Sequence, residues 1–122
     1  MGPGSDPRQN ESSPSNPNGP RVPETAESLR VPHPTPRFGL GQIVITPGAL
    51  EAISHDEITA ALIRHSRGDW GLVDAEDWKE NELSVREGFR LLSAYETSQG
   101  RKFWVITEAD RSSTCLLLPE EY

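Results

Sequence analysis

The stretch that decides the fold class runs from Phe89 to Leu118 and reads FRLLSAYETSQGRKFWVITEADRSSTCLLL. Apolar and polar residues alternate along it with a period of two, and β-branched and aromatic residues are frequent, as is typical of strands. Two groups of turn-forming residues, Thr97–Gly100 and Glu108–Ser112, divide the stretch. It therefore predicts an antiparallel meander of three strands: Phe89–Glu96, Lys102–Thr107 and Thr114–Leu118.

The residues before the meander predict one further strand and two to three helices. The β-branched run at the end of Phe38–Ile45 is typical of a strand. Signals that begin helices occur at Thr46-Pro47, at Ser54 and at Asp74, and glycines follow the second and third helices at Gly68 and Gly88. The predicted class is α+β, with an N-terminal strand, the helices on one face of the sheet, and then the meander. The edge at which the first strand joins the sheet stays open.

The composition divides the chain near residue 37. Nine of the 11 prolines lie in residues 1–37, whereas all eight aromatic residues lie in residues 38–122. Acids and bases balance in the first segment, so residues 38–122 carry the whole net charge of −7. We predict a disordered Pro/Ser/Asn-rich tail over 1–37 and a single small acidic α+β domain over 38–122. A domain of this size leaves little interior for a large cofactor, and we expect none.

The cysteine count, the apolar runs and the charge exclude several classes of protein. Cys115 is the single cysteine, so an intrachain disulfide framework and a cysteine-based zinc site are excluded, and we expect no metal. The sequence shows no secretory signal and no apolar run long enough for a membrane helix, which predicts a cytoplasmic protein. The net charge of −7 argues against direct binding of nucleic acid.

The common catalytic signatures are absent from the sequence, which contains no nucleophile elbow, Walker loop or zinc-protease motif. His65 has the intrinsic pKa of a general base. However, it lies in helical register with Ile58 and Leu62, where a histidine bonded within the core is the more ordinary interpretation. An alternative hypothesis is a small nuclease or ribonuclease-like toxin that uses His65, Glu108 and Arg111.

Two predicted connections are rich in polar residues and are the candidate binding surface. The first contains Asp69 and Trp70, and the second contains Glu108, Asp110 and Arg111. Binding residues concentrate in loops that a rigid scaffold positions. We expect Trp70 to be partly exposed and to anchor a partner. The carboxylates are also typical of turns, where they accept local main-chain hydrogen bonds.

The third predicted helix carries a row of acidic residues: Asp74, Glu76, Asp77, Glu80, Glu82 and Glu87. Such a row is usually a solvated helix face. Alternatively, it is the negative strip of an acidic DNA mimic that inhibits a DNA-handling enzyme.

Four strings are similar to a family of short bacterial proteins that are mostly described as hypothetical or plasmid-related: RHSRGDWG at 64–71, RLLSAY at 90–95, WVITEADRS at 104–112 and LLPEEY at 117–122. The resemblance covers residues 38–122. It implies a bacterial cytosolic protein associated with mobile elements, and it supplies no catalytic residues. Some members carry a label as a restriction methylation subunit, but this chain lacks the Asn-Pro-Pro-Tyr-type motif and glycine-rich loop of such enzymes.

The sequence therefore favours a small non-enzymatic accessory protein that recognises a protein partner through its polar loops. The nuclease and the DNA mimic are the alternatives. The identity of the partner and the oligomeric state stay open.

Overall fold

The computed structural model of the protein describes residues 33–122, so most of the predicted tail lies outside the described residues. The described residues form one compact unit. The main-chain N–H groups of His33 and Arg37 donate to the carbonyl oxygens of Arg67 (3.0 Å) and Ser66 (2.8 Å). Residues 33–37, which the sequence assigns to the tail, therefore pack on the folded unit.

The folded unit begins with one strand, continues with three helices and three further strands, and closes with a 3-10 turn. The elements in chain order are β1 (Gln42–Ile45), α1 (Pro47–Ala52), α2 (His55–Ser66), α3 (Ala75–Glu87), β2 (Leu91–Glu96), β3 (Lys102–Thr107), β4 (Ser113–Leu117) and a 3-10 turn (Pro119–Glu121). The predicted α+β class is confirmed, with three helices in the described residues.

The sheet has four strands in the order β1-β4-β3-β2 and is mixed. Strands β2, β3 and β4 pair antiparallel, and β1 pairs parallel with β4, where Gln42 lies opposite Ser113. The predicted three-stranded antiparallel meander is therefore one part of a four-stranded mixed sheet, and the predicted N-terminal strand joins it at the β4 edge. The first strand adds a parallel edge because the three helices carry the chain across the sheet before β2 begins.

The helices begin at the residues that the sequence indicates. Thr46 Oγ1 accepts from the Ala49 N–H at 3.3 Å, and Ser54 Oγ accepts from the Glu57 N–H at 3.2 Å. The Asp74 carboxylate accepts from the Asp77 N–H, in the first turn of α3, at 2.8 Å. Each cap satisfies a main-chain N–H that has no partner within its own helix.

All three helices pack against one face of the sheet. The main cluster joins α1 and α2 to Tyr95, Phe103, Val105 and Leu116, which share that face. A smaller cluster joins Trp78 of α3 to Leu91 and Trp70. The core therefore lies between the helices and the inner face, as predicted.

The two edges of the sheet differ in how they are covered. At β2, Ala94 exchanges main-chain hydrogen bonds with the 70–72 loop, and the Asn81 amide bonds the N–H and C=O of Leu92. Gly71 permits the close approach, because its φ is +76° and a Cβ there would overlap the Ala94 oxygen. Within residues 33–122, nothing pairs with the outer edge of β1.

Candidate functional site

His65, the candidate general base, lies in the core with both ring nitrogens bonded. Its side chain is fully buried. Nδ1 is 2.5 Å from Ser93 Oγ, and Nε2 is 2.8 Å from Thr107 Oγ1. The rings of Phe38 and Trp70 contact the imidazole edge-on, with centroids at 5.3 and 5.6 Å.

The hydrogen-bond chain around His65 determines its tautomer. Thr114 Oγ1 donates its hydrogen to the Leu40 carbonyl, so it accepts from Thr107 Oγ1 at 2.7 Å. Thr107 has then used its hydrogen and must accept from His65 Nε2–H. The other nitrogen, Nδ1, accepts from the Ser93 hydroxyl. Neutral His65 with its hydrogen on Nε2 therefore satisfies every member of the chain.

The environment of His65 opposes protonation. Burial, together with the nearby positive charge of Arg111, lowers the pKa of His65 to about 3. A buried, neutral imidazole whose nitrogens are both occupied holds the helix to the sheet. It has no free nitrogen for proton transfer with a substrate.

Lowering the pH from 7.5 to 5 should reduce the free energy of unfolding of the wild-type protein. The reduction should be about 2 kcal/mol larger than in a His65→Gln variant. The unfolded chain takes up a proton at this residue near pH 6.5, whereas the folded protein does so only near pH 3. Because the unfolded state binds more protons between these values, stability falls as the pH drops below 6.5. Urea unfolding at both pH values measures the loss. Equal losses in the two proteins would contradict the prediction.

Asp69 organises the loop between α2 and α3. Its carboxylate accepts from Arg64 Nε at 2.7 Å and from the Gly71 N–H at 3.2 Å. Its carbonyl oxygen accepts from the Tyr95 hydroxyl at 2.5 Å. The side chain therefore serves the local turn and an ion pair that is partly exposed.

Trp70, the expected partly exposed anchor, is fully buried. Its ring stacks on Phe38 with centroids 6.1 Å apart, and its Nε1–H donates to Glu82 Oε2 at 3.0 Å. The same carboxylate forms two 2.9 Å hydrogen bonds with the Arg37 guanidinium. The expectation of exposure is wrong because Phe38 and α3 both cover the indole.

Arg111 points into the protein and joins three segments of chain. Its Nη1 donates to the carbonyls of Phe89 (2.7 Å), Glu108 (3.1 Å) and Ala109 (3.1 Å), and its Nη2 donates to Ser84 (2.8 Å). The residue adopts a left-handed φ of 61°. The guanidinium therefore acts as a clamp between the end of α3, the start of β2 and the β3–β4 turn.

Glu108 and Asp110 remain at the surface of the same turn. The Glu108 carboxylate is 3.3 Å from Arg90 Nη2, and its side chain is 44% exposed. Asp110 accepts from the Ser112 N–H at 3.0 Å, and hydrogen bonds from Ser112 lower the pKa of this carboxyl group. Both carboxylates are available to a partner.

Of the three candidate nuclease residues, Glu108 and Arg111 are in contact only through the Glu108 carbonyl, and His65 contacts neither side chain through a hydrogen bond. The His65 ring bonds to core hydroxyls, Arg111 bonds to main-chain carbonyls, and the Glu108 carboxylate faces Arg90. The three side chains thus have separate partners, with Phe38 lying between His65 and Arg111.

One exposed aromatic residue that the sequence did not single out lies beside Arg111. Phe89 follows the helix-ending Gly88 and is 54% exposed. Leu83, one residue before Ser84, is 41% exposed. In the sequence, Phe89 is the first residue of a predicted strand. The alternation of side chains along a strand does not determine which face such a terminal residue occupies.

The acidic row on α3 divides between several roles. Asp74 caps the helix, and Glu82 turns inward toward Arg37 and Trp70. Besides Asp74, the exposed carboxylates of the row are Glu76, Asp77, Glu80 and Glu87. Asp77, Glu80 and Arg90 line part of a groove of about 200 Å³ between α3 and β2.

Neither a metal centre nor a membrane helix is found in the part of the chain that the structure describes. No group of three or more histidine, cysteine, aspartate or glutamate side chains between 33 and 122 could hold a metal ion. The helices of the same range are too short or too polar to cross a membrane.

The chain matches no protein-family model, no curated protein and no solved structure. Its functional interpretation therefore depends on the contacts and exposure of its own residues. The resemblance to plasmid-related bacterial proteins stays a prediction.

Proposed function

We propose that this protein is a non-enzymatic accessory protein that binds a protein partner through the turn surface, which we define as Phe89, Arg90, Glu108, Ala109 and Asp110. The observation that carries this proposal is the exposure of Phe89 beside a turn that Arg111 holds in place. Phe89 is 54% exposed, yet its carbonyl and those of the turn accept from the same Arg111 nitrogen.

The turn surface has the composition of a protein contact site. The exposed aromatic side chain of Phe89 provides apolar area, and Arg90, Glu108 and Asp110 provide charges of both signs. Energetically important contacts between proteins are commonly aromatic residues and arginines within a polar rim. This arrangement supports recognition of an apolar pocket edged by polar groups.

The hydrogen bonds of Arg111 also favour binding by reducing its entropic cost. A flexible loop loses conformational freedom when it docks, whereas a turn already fixed in the free protein loses little. Among the predicted binding residues, Arg111 thus supports the surface through its internal contacts, Glu108 and Asp110 are accessible to the partner, and Asp69 serves the α2–α3 loop instead.

A protein partner fits the charge of the chain better than a nucleic acid does. The net charge of −7, with exposed carboxylates along α3, repels phosphate groups. The resemblance to plasmid-related proteins adds the expectation of a bacterial cytosolic partner associated with mobile elements.

Phe89→Ala should weaken the partner complex by about 30-fold, which corresponds to the roughly 2 kcal/mol typical of a central aromatic contact. Asp110→Lys, which reverses a charge on the rim, should weaken it less. Capture from a bacterial lysate by the full-length chain, followed by titration of the captured protein, measures the effect. Circular dichroism checks that each variant is folded.

Leu50→Ala is the matched control, because Leu50 is 52% exposed but lies on α1. It should retain the partner that Phe89→Ala loses. Equal binding by wild type, Phe89→Ala and Asp110→Lys would exclude the turn surface as the contact site.

A further inference from the structure

The main chain of β1 presents free hydrogen-bonding groups at the outer edge of the sheet. Gln42 N–H donates to Ser112 at 3.0 Å and Thr46 N–H donates to Leu116 at 3.1 Å, so the even-numbered residues face β4. The main-chain groups of Ile43 and Ile45 must therefore point away from the sheet. Nothing in residues 33–122 pairs with them.

This edge lacks the features that usually prevent strand pairing. Native proteins protect edge strands with charged side chains, prolines, bulges or a covering segment. Such a segment covers β2, but β1 contains no proline, and no charged residue occurs from Phe38 to Leu50. The side chains of Ile43 and Val44 are 39% and 43% exposed.

An apolar groove continues the edge on the inner face of the sheet. Its volume is about 280 Å³, and it is lined mainly by Ile45, Leu50, Ile58 and Leu62. Ile45 also packs on the core cluster, which places it on the inner face, and Ile43 shares that face because strand side chains alternate. A strand added beside β1 would direct alternate side chains toward this groove.

We propose that β1 is the interface between two copies of this chain, paired antiparallel about a two-fold axis at Val44. In this register, Ile43 of one copy lies opposite Ile45 of the second copy, and their outward N–H and C=O groups bond to each other. The two sheets become one continuous sheet. The interface is self-complementary, as a two-fold axis requires.

The apolar side chains fit the same register. Ile43 of the second copy lies next to Ile45 on the inner face and contacts the groove. The two Val44 side chains meet across the axis on the opposite face. The exposed apolar area of each copy is thereby covered by the other copy.

The distribution of charge favours this contact over other contacts between two copies. Each chain carries −7, and the exposed acidic residues of α3 lie beside β2, at the far edge of the sheet. Pairing through β1 places the two β2 strands about 34 Å apart at a strand spacing of ~4.8 Å. This separation is several times the screening length of ~8 Å in physiological salt. The uncharged edges meet while the acidic helices stay distant.

Ile43→Pro in the full-length chain tests the interface. Proline removes the outward N–H of residue 43 but none of the hydrogen bonds between β1 and β4. Sedimentation analysis should find a concentration-dependent dimer for wild type and a dimerisation constant weakened by about tenfold or more in the variant. Ile43→Lys is a second variant with the same expected result. Ile63→Lys, at an exposed position on α2, should remain dimeric.

A disulfide trap tests the register. In a Cys115→Ser background, Val44→Cys should form a covalent dimer under mild oxidation, because residues 44 meet across the axis at a distance suited to a disulfide. Removing Cys115 is necessary, since it lies beside Val44 on β4. Ala60→Cys in the same background measures collisional crosslinking.

Two results would overturn the proposal. One is a full-length chain that stays monomeric at high micromolar concentration while Val44→Cys crosslinks no faster than the Ala60→Cys control. The other is a dimer that survives both Ile43→Pro and Ile43→Lys unchanged. The interface is separate from the turn surface, so neither result bears on the proposed function.

Discussion

His65→Ala should lower the free energy of unfolding by about 4 kcal/mol, through a cavity and an orphaned buried hydroxyl. The imidazole is fully buried and fills the space between Phe38, Trp70 and the sheet. Its removal leaves the Ser93 hydroxyl hydrogen without an acceptor in a dry environment. Chemical denaturation followed by circular dichroism measures the loss.

Ile63→Ala is the control for this variant, because Ile63 belongs to the same helix but is 46% exposed. It should cost less than about 1 kcal/mol. If the orphaned hydroxyl contributes, His65→Ala combined with Ser93→Ala should cost about 1 kcal/mol less than the sum of the single variants. A His65→Ala protein as stable as the control would show that the network contributes little.

Trp70→Ala should destabilise the folded unit by about 4 kcal/mol, because the variant removes a fully buried indole. It also removes the hydrogen bond to Glu82, although Arg37 continues to neutralise that carboxylate. Trp70→Phe keeps most of the ring and should cost about half as much. Urea titration of the three proteins ranks these effects.

The neighbouring Leu72 provides the comparison for Trp70, since it lies in the same loop and is 56% exposed. Leu72→Ala should cost less than about 1 kcal/mol. A Trp70→Ala protein that keeps its stability but loses its partner would restore Trp70 as a contact residue.

The elements of this fold follow from local signals. Thr46, Ser54 and Asp74 accept main-chain hydrogen bonds within the first turn of each helix, so their effect does not depend on distant residues. The aromatic and β-branched residues of Lys102–Thr107 likewise specify a strand at those residues. The parallel pairing of Gln42 with Ser113 depends on how three helices pack, and no local pattern encodes it.

The candidate site was harder to predict, because burial of a polar loop depends on residues distant in sequence. Trp70 is covered by Phe38 and by the helix that carries Glu82, and Arg111 reaches Ser84. The loop positions of these residues correctly indicated that they make polar contacts. They did not distinguish a side chain that contacts the rest of the folded unit from one that faces solvent. The helical register of His65 with Ile58 did indicate a core histidine.

The parallel pairing of β1 with β4 also affects the order in which the chain is completed during synthesis. Strands β2 and β3 pair with immediate neighbours, whereas β1 is made first and its partner is made last. Until β4 emerges, the uncharged segment around Ile43 and Val44 lacks the strand with which it pairs. Nascent chains are therefore most prone to aggregation at this segment. A charged residue there would reduce aggregation, but it would also oppose pairing at the outer edge of β1.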